Sequence, residues 1–231
     1  MSGNSEKIKT TLTALLPMKG HSERVPNKNI RPFAGKPLYH HIAGVLQQCP
    51  YIENILVNTD SEKIAAEAPL FFSKVKIIKR PRHICGDDVP MNEIIAHDLR
   101  NSEDKYYLQT HSTNPLLCLE TLKEAIATYF SLGDACDSLF SVTRMQTRLY
   151  WESGEPVNHD PKELRRTQDL PPLFEENSNI YLFSRESFQA AGNRRIGLKP
   201  KMFEMNPLEA TDIDTEENFL LAEAIYATRK K

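Results

Sequence analysis

Apolar positions recur along this chain in two alternating rhythms. Short aliphatic or β-branched runs at residues 10–16, 54–58, 75–78, 106–109 and 138–142 predict strands. Between them lie stretches whose apolar residues fall three and four apart, the spacing of an amphipathic helix. These are residues 37–48 (Leu38, Ile42, Val45, Leu46, with Pro37 at the first helical position), a short helix after Thr59-Asp60-Ser61-Glu62 (Ile64, Ala65, Ala68), residues 91–99, and residues 119–132 (Leu119, Leu122, Ile126, Tyr129, Phe130). Strand and helix alternate through about residue 143, which predicts an α/β fold: a mostly parallel, Rossmann-like central sheet flanked by helices on both faces.

The rhythm then breaks. Residues 148–151 and 155–157 flank Ser153-Gly154 as a hairpin would, and residues 158–178 are polar, proline-containing and weakly patterned. A long irregular stretch inside a compact domain is usually functional or interface-forming. Strand character returns at residues 179–183, followed by a helix at 187–191, a strand at 201–205, and a last helix with Thr215 as N-cap and Phe219, Leu220, Ala222, Ala224 and Ile225 facing inward. The expectation is one domain over residues 1–231, with 144–170 an insertion within it.

Composition narrows the function classes. With 231 residues, 40% of them hydrophobic and 26% charged, the chain can build a proper core. A formal net charge of −2 argues against a nucleic-acid-binding face, and no apolar run approaches the ~20 residues of a membrane span. The first seven residues lack the basic-then-apolar layout of a signal peptide. Cys49, Cys85, Cys118 and Cys136 show no paired spacing, so they read as reduced thiols of a cytoplasmic protein.

Two features carry candidate chemistry. The first is the loop leaving the first strand, Pro17-Met18-Lys19-Gly20-His21-Ser22-Glu23-Arg24-Val25-Pro26-Asn27-Lys28-Asn29. A loop at the carboxyl end of a strand in an α/β sheet is where ligands usually bind, and Lys19, Arg24 and Lys28 with backbone N–H groups suit a polyphosphate. The second is Asp212-x-Asp214, whose side chains share a face in extended backbone. Two like charges aimed into a cleft suit a divalent cation such as Mg²⁺, which takes one or two carboxylates and completes its shell with phosphate and water. Carboxylates ahead of a helix are also favoured by its dipole alone. Together the two features suggest a nucleotide-dependent transferase.

The loop, continued by Gly35-Lys36-Pro37-Leu38, resembles the signature of the acylneuraminate (CMP-sialic acid) cytidylyltransferases, of the nucleotide-diphosphosugar transferase fold. The likeness runs on through Val57-Asn58-Thr59-Asp60, Lys79-Arg80-Pro81 with Asp87-Asp88, Leu108-Gln109 with Thr113-Asn114-Pro115-Leu116, Gln168-Asp169-Leu170-Pro171, residues 177–181, and Asp212-Ile213-Asp214-Thr215. It implies that CTP and an acidic keto sugar give a CMP-sugar and pyrophosphate with Mg²⁺. By that resemblance Lys19, Ser22 and Lys28 hold the triphosphate, with Met18 and Arg24 beside them. Asn29, Arg80 and Asp87 surround the base and ribose, Gln109, Asn177, Tyr181 and Gln168 face the sugar acid, and Asp212 and Asp214 carry the metal. Lys19, Lys28 and Asp214 are the catalytic set. The resemblance also implies a homodimer that pairs through residues 144–170.

This chain departs from the family pattern at three places. Met18-Lys19 stands for the usual Ala-Arg, Glu23 for a lysine with Arg24 next to it, and Glu175 or Glu176 for an arginine expected to meet the sugar carboxylate. Arg165 or Arg166 is the replacement cation expected from sequence. A glycosyltransferase using a nucleotide sugar, with the same D-x-D on its diphosphate, and a nucleotide-binding paralogue without activity are the alternatives.

Overall fold

The computed structural model describes residues 10–22, 24–86 and 88–229. The expectations for residues 1–7, Glu23 and Asp87 lie outside them. The chain runs β1 (Leu12–Leu15), β2 (Pro32–Phe33), β3 (Lys36–Pro37), α1 (Tyr39–Gln48), β4 (Ile52–Thr59), α2 (Glu62–Phe71), β5 (Val75–Lys79) and α3 (Met91–Arg100). It continues with β6 (Tyr106–Gln109), α4 (Leu119–Ser131), β7 (Ser138–Met145), β8 (Leu173–Ser184), α5 (Arg185–Ala190), β9 (Pro200–Glu204) and α6 (Glu216–Arg229).

Seven strands form one sheet in the order β5-β4-β1-β6-β8-β7-β9. The pairs β1–β4, β1–β6, β4–β5 and β7–β9 are parallel, while β8 runs antiparallel to both β6 and β7, so the sheet is mostly parallel as expected. The two-residue period of a strand sorts its side chains between two cores. Ala14, Ile55, Val57, Ile180 and Leu182 join one core with α1, α2 and α4. Leu15, Leu56, Tyr181 and Phe183 join the other with α3 and α5. A third cluster, including Phe33, Ile213 and Phe219, packs α6 and the β2–β3 hairpin together.

The connection through α3 lies on the opposite face from α1 and α2, and it carries the chain from β5 back across β4 and β1 to β6. Strand order therefore reverses beside β1, the place where open α/β sheets bind ligands at the carboxyl ends of their strands.

Several expectations need correction. Pro37 belongs to β3, because Ala34 and Gly35 (φ 46° and 85°) make a tight hairpin that delays the helix to Tyr39. Residues 173–178 are strand, paired with β7 from Met145↔Leu173 to Val142↔Glu176; three consecutive exposed residues, Phe174, Glu175 and Glu176, break the alternation that would have marked it. In α6, Leu220 and Ala224 face solvent, Leu220 at 58% exposure, and the inward stripe is Phe219, Ala222, Ile225 and Tyr226. The residue 148–157 turn forms as expected, with Trp151 N–H donating to Glu155 O (2.8 Å) and Val157 N–H to Leu149 O (2.9 Å).

One irregularity shapes the cleft. The β7–β8 register jumps between Phe140↔Tyr181 and Val142↔Glu176, bulging β8 and placing Ser178 at φ 58°. Left-handed backbone at a serine is costly and is held only when surroundings enforce it. Ser141, fully buried, enforces it: its hydroxyl donates to Asn177 Oδ1 (2.6 Å) and accepts from Ile180 N–H (2.8 Å). Ser141→Ala should therefore cost about 1–3 kcal/mol by orphaning both groups. A lower urea midpoint at unchanged m checks this, and an unmoved midpoint would show that the bulge stands without the hydroxyl.

Candidate active site

Main-chain hydrogen bonds carry the pairing pattern past the strand ends. Met18 N–H donates to Asn58 O (2.9 Å), Arg80 N–H to Thr59 O (2.9 Å) and Thr110 N–H to Leu15 O (3.2 Å). Ile213 N–H donates to Thr113 O (3.0 Å), which brings the Asp212–Asp214 segment to the same edge. Between these loops opens a cleft of about 490 Å³.

Local chemistry explains the shape of the first loop. Gly20 N–H donates to Asp60 Oδ1 (2.6 Å), and a Cβ there would sit 3.1 Å from Ser61 Cβ. The loop thus lies close against the start of α2, which Ser61 caps through Ile64 N–H (3.3 Å), an approach that a side chain at residue 20 would crowd. Asn27 at φ 56° opens a 3₁₀ turn over Lys28–Ile30. Asn29 ties the loop to the β6 exit, donating to Lys19 O (2.8 Å) and accepting from the Ser112 hydroxyl (2.7 Å).

Met18, Lys19, Ser22, Arg24, Lys28, Asn29, Arg80, Asp212 and Asp214 all line the cleft. Lys28 Nζ donates to Ile213 O (2.5 Å) and lies 3.4 Å from Asp214, which also takes Arg24 at 3.1 Å. Burial pushes the Asp212 carboxyl up, the Thr113 hydroxyl opposes this, and Oδ1 has no hydrogen-bond partner among the described residues. A buried carboxylate oxygen without a partner, beside a second carboxylate, is a donor set that fits a hard divalent cation. No group of three or more candidate metal ligands occurs among the described residues, so phosphate and water would have to complete such a shell.

Arg80 is fixed from below. Its Nε and Nη2 donate to Asn58 Oδ1 (2.8 Å) and Asn58 O (2.9 Å), and Asn58 Nδ2 donates in turn to Asp98 Oδ1 (2.5 Å). Asp98 is fully buried, and burial pushes its carboxyl up to about 7 against the opposing pull of Asn58 and Arg80. His97 lies 3.8 Å away, but burial and nearby cations lower its pKa, so it is a neutral neighbour near pH 7.

At the β6–β8 end the predicted sugar residues stand just behind the wall. Gln109 and Tyr181 are fully buried, and Asn177 is occupied with Ser141 and Thr143. Between Gln109 and Tyr181 lies Arg195, which donates to Gln109 Oε1 (2.5 Å) and the Tyr181 hydroxyl (2.9 Å) and stacks 3.6 Å over the Tyr181 ring. His111 does line the cleft. Its Nε2 faces donors from Gln109 (3.1 Å) and Arg195 (3.5 Å), so Nε2 accepts and the proton sits on Nδ1. Burial, then Arg195 and Lys28, lower its pKa to about 3, so this imidazole stays neutral.

Arg166 and Gln168 do not reach the cleft: both are exposed, and Arg166 is bonded to Asp169 (2.8 Å) while Arg165 pairs with Glu163 (2.6 Å). Their polar, unpatterned segment gave no clue to its direction in space.

A family model described as "Cytidylyltransferase" matches residues 13–231. The chain belongs to the cytidylyltransferase family. It is 29% identical over 220 residues to N-acylneuraminate cytidylyltransferase A of Danio rerio, covering 92% of this chain and 50% of that protein, so it spans half the length of that relative. It is 26% identical over 227 residues to the CMP-N,N'-diacetyllegionaminic acid synthase of Legionella pneumophila, covering 93% and 95% of the two chains. Its fold matches CMP:2-keto-3-deoxy-manno-octonic acid synthetase complexed with CTP, at TM-score 0.68 and 15% identity over 95% of this chain and all of the other.

In this cytidylyltransferase-family chain, sequence reading missed His111, Ser178, Asp98 and Arg195. The polar exit loop of β6 at residues 110–115 was the available signal for His111; nothing local marks Arg195 or Asp98. Asp98 also generates a prediction. A carboxyl whose folded pKa, about 7, exceeds its ordinary 3.8 is favourable to fold only when protonated. Its contribution is complete below the unfolded pKa and is lost as pH rises through 7, at up to about 1.4 kcal/mol per pH unit. Asp98→Asn should flatten the decline of the urea midpoint between pH 5 and 8, and an identical slope in both proteins would refute the buried carboxyl as its source.

Proposed function

We propose that this chain transfers the cytidylyl group of CTP to an acidic keto sugar, giving a CMP-sugar and pyrophosphate. The observation that carries the reading is the meeting, at the point where strand order reverses, of Lys19, Arg24, Lys28 and Arg80 with the Asp212–Asp214 pair in one cleft. Four cations exceed what the diphosphate of a glycosyltransferase donor calls for, and the family match points the same way.

The sugar's anomeric hydroxyl attacks the α-phosphorus in line with the departing pyrophosphate. Lys19, Arg24, Lys28 and Ser22 hold the β- and γ-phosphates, where charge builds as the bond breaks, and fixed donors serve such charge best. Met18 and Asn29 shape the base of that loop, and Arg80, aimed by Asn58 and Asp98, faces the nucleoside. Asp212 and Asp214 would hold Mg²⁺, which supplies charge neutralisation and orientation at the phosphates. Arg24 and Lys28, now paired with Asp214 at 3.1 and 3.4 Å, would be free to meet phosphate once that carboxylate held the cation. Gln109, Asn177 and Tyr181 stand behind the wall of the acceptor end.

The chain is also read as a homodimer. The segment inserted between β7 and β8 exposes Tyr150, Trp151 and Leu164, with Phe174 just beyond it on β8, an apolar set suited to a second copy. No described helix is long and apolar enough to cross a membrane.

Pyrophosphate release should require CTP, a keto-sugar acid and Mg²⁺, with UTP, ATP and GTP as controls. Lys28→Ala and Asp214→Ala should each lower kcat/KM by about 10²-fold or more at an unchanged thermal midpoint; wild-type turnover in either, or full activity in excess chelator, would sink the assignment. In sedimentation, Trp151→Glu should yield monomers, and an undisturbed dimer would exclude that segment as the interface.

A further inference from the structure

Resting on the cytidylyltransferase reading, we propose that Arg195 captures the ionised carboxylate of the acceptor. Three observations lead there. First, the guanidinium is largely buried, its side chain only 16% exposed, and its hydrogen-bond partners are the neutral Gln109, Tyr181 and His111. Among the described residues the nearest carboxylate, Glu176, pairs with it only at 3.7 Å, beyond a good hydrogen bond, and accepts from the Tyr181 hydroxyl. A desolvated arginine without a bidentate carboxylate is an unfinished ion pair.

Second, the side chain is preorganised. Stacking on Tyr181 and two hydrogen bonds fix the plane of the fork before any ligand arrives. The loop that carries it is fixed too: Asp137 accepts from Leu198 N–H (2.8 Å) and Lys199 N–H (2.9 Å). At Gly197 a Cβ would lie 2.3 Å from Asp137 Oδ1, so only glycine lets the loop close on that carboxylate.

Third, its place is right for an acceptor. His111, 3.5 Å from Nη1, lines the cleft, and so does Ser178, 3.3 Å from the hydroxyl of Tyr181, on which Arg195 stacks. Lys28 and Arg24 already serve the phosphate end, and neutral His111 offers Nδ1–H without competing for an anion. Glu176, whose side chain is 43% exposed, is the internal placeholder: it holds Arg195 through Tyr181 and can turn to solvent as the acceptor's carboxylate arrives. Glu176 is one of the two residues standing where the family resemblance expects an arginine, so the cation meeting the acid is supplied from residue 195 instead.

The test is calorimetric. CTP binding is measured first; then N-acetylneuraminic, pseudaminic and N,N'-diacetyllegionaminic acids, each with its primary carboxamide, are titrated into protein saturated with an α,β-methylene analogue of CTP. Wild type should prefer an acid over its amide by about 10- to 100-fold. Arg195→Gln should erase that preference at unchanged CTP affinity, Arg195→Lys should keep part of it, and Glu176→Gln should retain or raise it. A preference that survives in Arg195→Gln overturns the proposal, as does parallel loss of CTP binding, which would mark a merely structural arginine. CTP binding to wild type with no acid bound also overturns it while leaving the nucleotide site standing. Failure of CTP itself to bind would overturn the cytidylyltransferase reading beneath.

Discussion

Main-chain hydrogen bonding beyond the ends of β1, β5 and β6 is the constraint on which the cleft depends. Met18 on Asn58, Arg80 on Thr59, Thr110 on Leu15 and Ile213 on Thr113 bring four distant pieces of chain to one edge. Each bond is modest, but each satisfies a backbone group that burial would otherwise leave unpaired. The side chains inherit their positions from this edge. Lys19 follows directly on Met18, Arg80 sits on its own backbone bond, and Asp212 and Asp214 flank Ile213.

The polar groups in the cleft fall into two kinds. Exposed pairs such as Arg24–Asp214 are held weakly in water and can trade one partner for another at little cost. Arg80, by contrast, is locked to buried Asn58, and Arg195 to buried Gln109 and Tyr181. The division suits the proposed function: groups that would meet a mobile, highly charged triphosphate are free to exchange partners, while groups that would read shape stay rigid.

Much of this was legible in the sequence. The alternation of strand and helix through β7, the loop after β1 and the D-x-D pair all came from local pattern, and the structure brings the loop and the pair to one cleft. Where legibility failed, the cause was non-local. Residues 173–178 gain their strand character from pairing with β7, not from their own polarity, and Leu220 is turned outward by an α6 stripe one residue off the expected set. Arg166 looked equivalent to any other arginine until its segment turned away, and Arg195 became visible only when β6, β8 and the loop after α5 came together. A buried arginine is defined by what surrounds it, and a single sequence does not list its surroundings.

The crossing of α3 divides the labour of the sheet between two sets of strands. Loops after β1 and β5 carry Lys19, Lys28 and Arg80, whereas β6, β8 and the loop after α5 carry Gln109, Tyr181 and Arg195. Substitutions in separate contact networks tend to add rather than couple. Under the proposed function, a lineage built on this plan would exchange one acceptor for another by altering one flank, leaving inherited nucleotide chemistry on the other undisturbed.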